Sequence, residues 1–174
     1  MPTKYKYLFT IAPLIIIADQ VTKWLVVQRL SLGEAIPIIP VFFDLVHFRN
    51  TGAAFGMLAG SHEGFRVPFF FIMAAIAFLF LISYFRSLRA DDHLQSLTLA
   101  LLFGGIIGNV IDRIRLGSVV DFLCFHLGDR VFDMTMGGYH ISFPLEWPAF
   151  NVADSAISVA MVLLIISSFR RKTT

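Results

Sequence analysis

Charged residues are scarce in this chain of 174 residues, since Asp, Glu, Lys and Arg together make up only 15% of it. Ordinary globular domains carry about 25%, so a water-soluble fold is disfavoured. The formal net charge of +2 is too small to indicate a nucleic-acid-binding surface. Cysteine is scarcer still: the single Cys124 excludes an internal disulfide and a metal site of several thiolates. We interpret Cys124 as a packing residue.

Apolar residues make up 57% of the chain, with 19 Phe, and the mean hydropathy is +0.76. About 20 helical residues cross the roughly 30 Å hydrocarbon layer of a membrane. Four runs reach that length, at residues 8–27, 67–85, 94–114 and 152–169. The sequence therefore predicts an α-helical integral membrane protein, with residues 1–174 forming one membrane-embedded domain. The first run lacks a small-residue cleavage pattern, so we expect it to be retained rather than removed as a signal peptide.

Basic residues concentrate in three short segments. These are Lys4 and Lys6, then Arg86 and Arg89, then Arg170, Arg171 and Lys172. Short loops rich in Lys and Arg remain on the cytoplasmic side of a membrane. We therefore expect both termini and the 86–93 loop to be cytoplasmic, and the two long connections, 28–66 and 115–151, to lie outside.

The first long connection contains residues 36–48, whose aromatic and β-branched content predicts one or two short strands. Arg49-Asn-Thr-Gly-Ala-Ala-Phe55 follows. Its glycine would let the backbone approach a ligand closely, and Asn50 could hold a ligand or stabilise a turn. An ordinary polar turn after a strand explains the same residues.

Ionisable residues within membrane spans are costly and are usually functional. Asp19 and Lys23 are four residues apart in the first span, so they share a helix face and can pair. We expect a partly buried pair that orients the helix, with Lys23 extending its amine outward to the membrane interface.

The third span carries a similar polar stripe near its outer end. Asn109, Asp112 and Arg113 are three and four residues apart and lie on one face. We expect them to support a site, with Arg113 neutralising a neighbouring carboxylate. Gly104 and Gly108 precede them at a spacing that permits close helix packing.

Two aspartates, Asp121 and Asp154, are expected at the same outer interface. Asn151 is placed to cap the fourth helix, which would put Asp154 at a position where a helix dipole favours an acid without any catalytic role. Asp121 could equally be a solvated residue beyond a helix end. Together, however, two neighbouring carboxylates can share one proton, so that one activates water and the other polarises a carbonyl group. This is the chemistry of an aspartyl hydrolase.

Other chemistries have less support in the sequence. Ser155 has no evident histidine base, and His126 and His140 lack a recognisable metal-ligand spacing. A proton-coupled transporter remains an alternative, although four spans without a repeat or a broken helix are few for a transporter. Its proton relay would use Asp19, Asp112, Asp121 and Asp154. A non-enzymatic scaffold would explain the glycines but not two carboxylates at one interface.

Five motifs occur in order from the first span to the fourth. They are Asp19-Gln-x-x-Lys23, Arg49-Asn-Thr-Gly-Ala-Ala-Phe55, Gly104-Gly-x-x-Gly-Asn-x-x-Asp-Arg113, Val119-Val-Asp-Phe122 and Phe150-Asn-x-Ala-Asp-Ser155. This set closely resembles the bacterial lipoprotein signal peptidase family, also called signal peptidase II.

The resemblance implies a bacterial inner-membrane aspartyl protease that cuts the signal peptide from prolipoproteins just before a diacylglyceryl-modified cysteine. It implies Asp121 and Asp154 as catalytic residues near the outer face, with no cofactor, no metal and no required oligomer. The supporting positions would be Asp19, Lys23, Asn50, Gly52, Gly105, Asn109, Arg113 and Asn151. A small extracytoplasmic β-element and a covering loop or helix are expected over the site. The connection at 122–150 is longer than the family usually has, which bears on the shape of that cover.

The predicted orientation can be tested with single cysteines in a background where Cys124 is replaced. A cysteine at position 90, in the basic loop, should be inaccessible to a membrane-impermeant reagent in intact cells, whereas one at position 133 should react. Labelling at position 90 from outside would overturn the arrangement.

Overall fold

The computed structural model describes residues 1–52 and 62–171. Within these ranges it contains four long helices: α1 (Thr3–Arg29), α2 (Glu63–Ser87), α3 (His93–Leu116) and α4 (Val152–Arg171). All four are long and apolar enough to cross a membrane. Each contains one of the predicted spans and, apart from the start of α4, extends beyond it by one to five residues. Ala53 to Phe55, part of one sequence motif, and Lys172 lie outside the described residues.

Helix α3 forms the centre of the bundle. Of its most apolar window 61% is buried inside the protein, whereas the corresponding value for α2 is only 6%. The side chains of all four helices meet in one apolar cluster around α3. Its buried members are Ala12, Leu81, Phe85, Leu88, Leu99, Leu102, Phe103 and Ala160. Four polar residues of α3, Gln95, Ser96, Thr98 and Asp112, are buried inside the protein rather than exposed to lipid.

Glycines on α3 allow the neighbouring helices to approach closely. A Cβ atom at Gly104 would lie 2.8 Å from the Ile15 side chain of α1. A Cβ atom at Gly105 would lie 2.6 Å from the carbonyl oxygen of Ala153 in α4, a backbone atom that cannot move aside. The close packing predicted for Gly104 and Gly108 is present, since a Cβ atom at Gly108 would lie 2.6 Å from the Asp19 side chain of α1 and 3.2 Å from that of Ala153 in α4.

One four-stranded antiparallel arrangement lies beyond the ends of the helices. Its strands are β1 (Ala35–Ile39), β2 (Phe43–Asn50), β3 (Val119–Met136) and β4 (Tyr139–Glu146), in the order β1-β2-β3-β4. The first two confirm the strands predicted in the first connection. The β2–β3 register places Phe48 opposite Asp121 and Asn50 opposite Val119. This pairing brings two of the sequence motifs together.

The second connection differs from the sequence interpretation. Asp121 lies within β3 and is buried, so the alternative interpretation of it as a solvated residue beyond a helix end is wrong. Strands β3 and β4 form a long hairpin over residues 119–146, which the sequence analysis does not predict. After β4 the chain returns to β3, where the backbone N–H groups of Phe122 and Leu123 donate to the Phe150 carbonyl. That contact places the start of α4 beside Asp121. Apolar and polar residues alternate on either side of Gly137-Gly138, a hairpin signal that the sequence analysis does not use.

Cys124 lies on β3 and is 4% exposed. Its thiol donates to a carboxylate oxygen of Glu146 at 3.2 Å. Burial, aided by the hydrogen bond to Glu146, raises the pKa of the thiol to about 12. The role predicted for it, as a packing residue, agrees with this position.

The close approach of α3 to α4 predicts that Gly105→Ala destabilises the protein by about 1–3 kcal/mol, because the added methyl group meets a backbone carbonyl. Thermal melting in detergent would measure this. Ala75→Val, on an exposed position of α2, is the matched control and should change the melting temperature little. Equal melting of the two variants would contradict the packing argument.

Candidate active site

A buried ion-pair cluster joins α1 to α3 beneath the sheet. The Lys23 amine lies 2.8 Å from a carboxylate oxygen of Asp19 and 3.0 Å from one of Asp112. It also donates to the side-chain oxygen of Asn109 at 3.1 Å. Asp19, Lys23 and Asp112 are all at most 3% exposed.

The predicted Asp19–Lys23 pair is therefore present, but the expected direction of Lys23 is wrong. Its amine turns inward rather than toward the membrane interface. The physical reason is that Asp112 and Asn109 supply two further acceptors inside the protein, so the ammonium group finds a full set of hydrogen bonds there.

The same carboxylates hold the backbone of the neighbouring elements. Asp19 accepts a hydrogen bond from the Ala153 N–H at 2.9 Å, and Asp112 accepts one from the Val120 N–H at 3.0 Å. These N–H groups lie at the start of α4 and the start of β3. Gln20, which the sequence interpretation left without a role, donates to Asp112 and to the Gly108 carbonyl. The cluster thus fixes the two segments that carry Asp121 and Asp154.

Asp121 is held by two asparagine side chains. The Asn151 amide donates to Oδ1 at 2.8 Å, and the Asn50 amide donates to Oδ2 at 3.0 Å. Asn50 is itself fixed, because its side-chain oxygen accepts from the Gly52 N–H at 2.9 Å. The Asn50–Gly52 turn predicted from the sequence is therefore present, and it aims the amide at Asp121.

Asp154 lies in the first turn of α4 and takes part in the predicted cap. Its N–H donates to the Asn151 side-chain oxygen at 2.9 Å, and its Oδ2 accepts from the Asn151 N–H at 3.3 Å. This reciprocal pair is a capping box. Its other oxygen, Oδ1, accepts from the Asn109 amide at 2.7 Å. The helix cap and the contact with α3 together fix the Asp154 carboxylate.

Asn151 and Asn109 connect the two aspartates to each other and to Lys23. The Asn151 amide, which is completely buried, also lies 3.2 Å from the Asn109 side-chain oxygen. That oxygen is the one that accepts from Lys23. The orientation of the Asn109 amide is therefore set by charged partners at both ends, Lys23 and Asp154, and that of Asn151 by the Asp154 backbone N–H at one end and the Asp121 carboxylate at the other.

Asp121 and Asp154 line one open cavity of about 840 Å³. Asn50, Gly52, Asn109 and Arg113 also line it, whereas Asp19 and Lys23 lie behind it. The aromatic side chains of Phe48, Trp147 and Phe150 are part of its wall. Sequence reasoning did not select these aromatics for a site, because their positions depend on how β2 and the segment after β4 come together beside β3. Gly105 is not part of the lining and instead contacts α4.

Arg113 does not form the carboxylate pair expected of it among the described residues. Its guanidinium group donates to the Gly52 carbonyl at 3.2 Å and lies over the Phe70 ring, 4.5 Å from the centroid. Arg113 therefore joins α3 to the turn after β2 and to α2. The carboxylates that could have paired with it are already held by Lys23 and by asparagines.

The pKa of Asp121 is raised from its usual 3.8 to about 7. Burial is the main cause, since it disfavours the charged form, and the neighbouring Asp154 carboxylate adds repulsion. The hydrogen bonds from Asn50 and Asn151 act in the opposite direction. A carboxyl group with such a pKa can hold or release a proton near neutral pH. In the described ranges, no group of three His, Cys, Asp or Glu side chains is placed to hold a metal ion.

Comparisons with known proteins agree with this architecture. The chain matches the family described as "Signal peptidase (SPase) II" over residues 11–170. It is 46% identical over 167 residues to a lipoprotein signal peptidase of Syntrophotalea carbinolica, covering 96% of this chain and 93% of the relative. It is 41% identical over 157 residues to the lipoprotein signal peptidase of Geobacter sulfurreducens, covering 90% and 88%.

A solved structure is also similar. It is described as a bacterial membrane enzyme determined by the in meso method at 2.3 Å resolution. The TM-score is 0.72 at 32% sequence identity, with 94% of this chain and 88% of that chain covered.

The raised pKa of Asp121 predicts a pH-dependent effect of Asp121→Asn on stability. The folded state binds the proton more tightly than the unfolded state, so this group stabilises fully below about pH 4, and the contribution is lost as the pH rises through about 7. Asn does not ionise. The melting temperature of Asp121→Asn relative to wild type should therefore rise by several degrees between pH 5 and pH 8.

The matched control is Asp91→Asn. Asp91 is exposed, and the hydrogen bond from Arg89 lowers its pKa, so this variant should show no such gain. A melting difference for Asp121→Asn that stays constant with pH would contradict the raised pKa.

Proposed function

The chain belongs to the signal peptidase II family, and we propose that it cleaves the signal peptides of lipoproteins with Asp121 and Asp154 as its catalytic pair. The main support for this pair is that the two carboxylates, from β3 and α4, line one cavity and are joined through Asn151. The protein is a protease of a multi-pass bacterial membrane family. The catalytic roles and the orientation in the membrane are our proposals.

In the proposed reaction the pair holds one proton. The ionised aspartate removes a proton from a water molecule, whose oxygen attacks the carbonyl carbon of the scissile peptide bond. The protonated aspartate gives its proton to the carbonyl oxygen. The resulting tetrahedral intermediate then collapses: one of its two hydroxyl groups returns a proton to the ionised aspartate, the carbon–nitrogen bond breaks, and the departing nitrogen takes the proton of the other aspartate. The pair is left with one proton, as at the start. No covalent enzyme intermediate is needed.

The asparagines suit this reaction because they hold the carboxylates without neutralising them. Each oxygen of Asp121 accepts one amide hydrogen bond. A carboxylate oxygen has two lone-pair positions, so each can accept a further hydrogen bond from water or carry the shared proton. The Lys23 ammonium group donates to Asn109, and Asn109 separates it from the cavity. Its positive charge therefore favours the ionised form of Asp121 without direct contact between the two side chains.

We further propose that the substrate is a prolipoprotein carrying a diacylglyceryl cysteine, and that the cavity opens at the extracytoplasmic face of the membrane. The cavity lies where α3 ends and α4 begins, at the opposite ends of these helices from the basic loop after α2 and the basic residues after Phe169. The positive-inside rule then places it outside. Its aromatic and aliphatic walls suit a lipid-modified peptide.

The catalytic proposal predicts that Asp121→Asn and Asp154→Asn each abolish nearly all cleavage of a diacylglyceryl-modified prolipoprotein by purified protein. The double variant should be scarcely worse than either single one, since residues that act as a unit are not additive. Asp91→Asn serves as the control and should cleave normally, and thermal melting would establish that all variants fold. Near wild-type turnover by Asp154→Asn would show that Asp154 caps α4 and has no catalytic role.

The same proposal predicts a bell-shaped dependence of cleavage on pH. Activity requires one shared proton, so it should fall at basic pH, when the pair loses that proton, and fall again at acidic pH, when both groups are protonated. The two limbs belong to the pair. Activity that keeps rising above pH 8 would contradict a shared proton.

A further inference from the structure

The outer part of the β3–β4 hairpin has one apolar and one polar face. Directly opposed residues of two antiparallel strands share a face, and successive residues alternate between faces. Three opposed pairs are apolar: Phe132 with Phe143, Met134 with Ile141, and Met136 with Tyr139. The pairs between them, Asp133 with Ser142 and Thr135 with His140, are polar. The hairpin is therefore amphipathic from Phe132 to Met136 on β3 and from Tyr139 to Phe143 on β4.

The apolar face is exposed with respect to the described part of the chain. Phe132 is 37% exposed and Tyr139 79%, and the other four apolar side chains fall between these values. The Phe132 and Phe143 rings stack on each other with centroids 4.9 Å apart. Six large apolar side chains in one continuous exposed patch are unusual on a surface in contact with water, and such patches mark an interaction site.

The base of the hairpin lies next to the end of α3 and the start of α4. Strand β3 begins two residues after Gly117, which ends α3, and β4 ends six residues before α4 begins. No candidate span lies between α3 and α4. The hairpin therefore lies on the side of the helix bundle where α3 ends and α4 begins. The five-residue amphipathic arm, from Phe132 to Met136, is about 17 Å long. This length allows the hairpin to lie along the membrane surface.

An irregularity between His126 and Val131 separates the outer arm of the hairpin from its base. The β3–β4 register shifts there, and Gly128 has a positive φ of 63°. Exposed Val41, at the turn between β1 and β2, contacts this point, since a Cβ atom at Gly128 would lie 2.7 Å from its side chain. Exposed Trp147 follows β4. Apolar groups thus continue from the hairpin to the segments next to the helix ends.

We infer that the apolar face of this hairpin rests on the lipid surface of the membrane, beside the cavity that contains Asp121 and Asp154. Lipid is favoured over a protein partner because the patch continues toward helices that are themselves surrounded by lipid. The composition also suits the interface, where aromatic and long apolar side chains enter the headgroup region. On the opposite face, His140 and Asp133 lie 3.1 Å apart and remain in water. The inference goes beyond the proposed cleavage reaction and does not depend on it.

The test places a fluorescent label on each face in turn. In a Cys124→Ala background, Ile141→Cys and Ser142→Cys are labelled with an environment-sensitive dye and placed in nanodiscs of phosphatidylethanolamine and phosphatidylglycerol. Lipids carrying a nitroxide should remove most of the emission at position 141 and little at position 142. Iodide in the buffer should do the reverse. Adjacent positions on opposite faces serve as matched controls, and neither readout requires cleavage.

Two results would overturn the inference. Strong iodide quenching at both positions would show that the apolar face is in water. Protection of position 141 from both quenchers would show that protein covers it, either another part of this chain or a second copy. If Ile141→Cys fails to fold, as judged by thermal melting, Met134→Cys with Thr135→Cys provides the same comparison.

Discussion

The buried ammonium group of Lys23 is the interaction on which the site geometry depends. It is surrounded by Asp19, Asp112 and Asn109, which come from two different helices. Removing one partner from a buried ion pair costs about 3–5 kcal/mol, because an unpaired charge remains inside the protein. The two carboxylates use their remaining capacity to accept backbone N–H groups at the starts of α4 and β3. One buried charge therefore fixes the relative positions of four elements.

Asparagine side chains connect the buried Lys23 cluster to the two aspartates in the cavity. An amide has a donor end and an acceptor end, so a partner at each end determines its direction. Asn109 accepts from Lys23 and donates to Asp154, while Asn151 accepts from the Asp154 N–H and donates to Asp121. Aspartate at either asparagine position would remove the donor and bring another negative charge near the pair. The choice of asparagine is thus a consequence of the charges around it.

The four helices could be predicted from the sequence because long apolar runs have one dominant structural meaning. The cap formed by Asn151 and Asp154 was also predictable, since it depends on residues close in sequence. The inward direction of Lys23 was not, because spacing along one helix does not reveal that Asp112 lies opposite on another. The role of Asn109 likewise depends on how α3 packs against α4. The hairpin also has a local sequence signal, because apolar and polar residues alternate on either side of Gly137-Gly138. The sequence does not reveal where this hairpin packs relative to the helices.

The surroundings of Cys124 affect how well the protein resists oxidation outside the cell. Oxidants and disulfide partners react with the thiolate form of cysteine. Burial on β3 and the neighbouring Glu146 carboxylate keep this thiol protonated. If the sheet faces the oxidising side of the membrane, as we propose, the chain carries its only sulfhydryl there in a form that resists both sulfenic acid formation and mixed disulfides. The strand that presents Asp121 can then work in an oxidising compartment without a reducing system to maintain it.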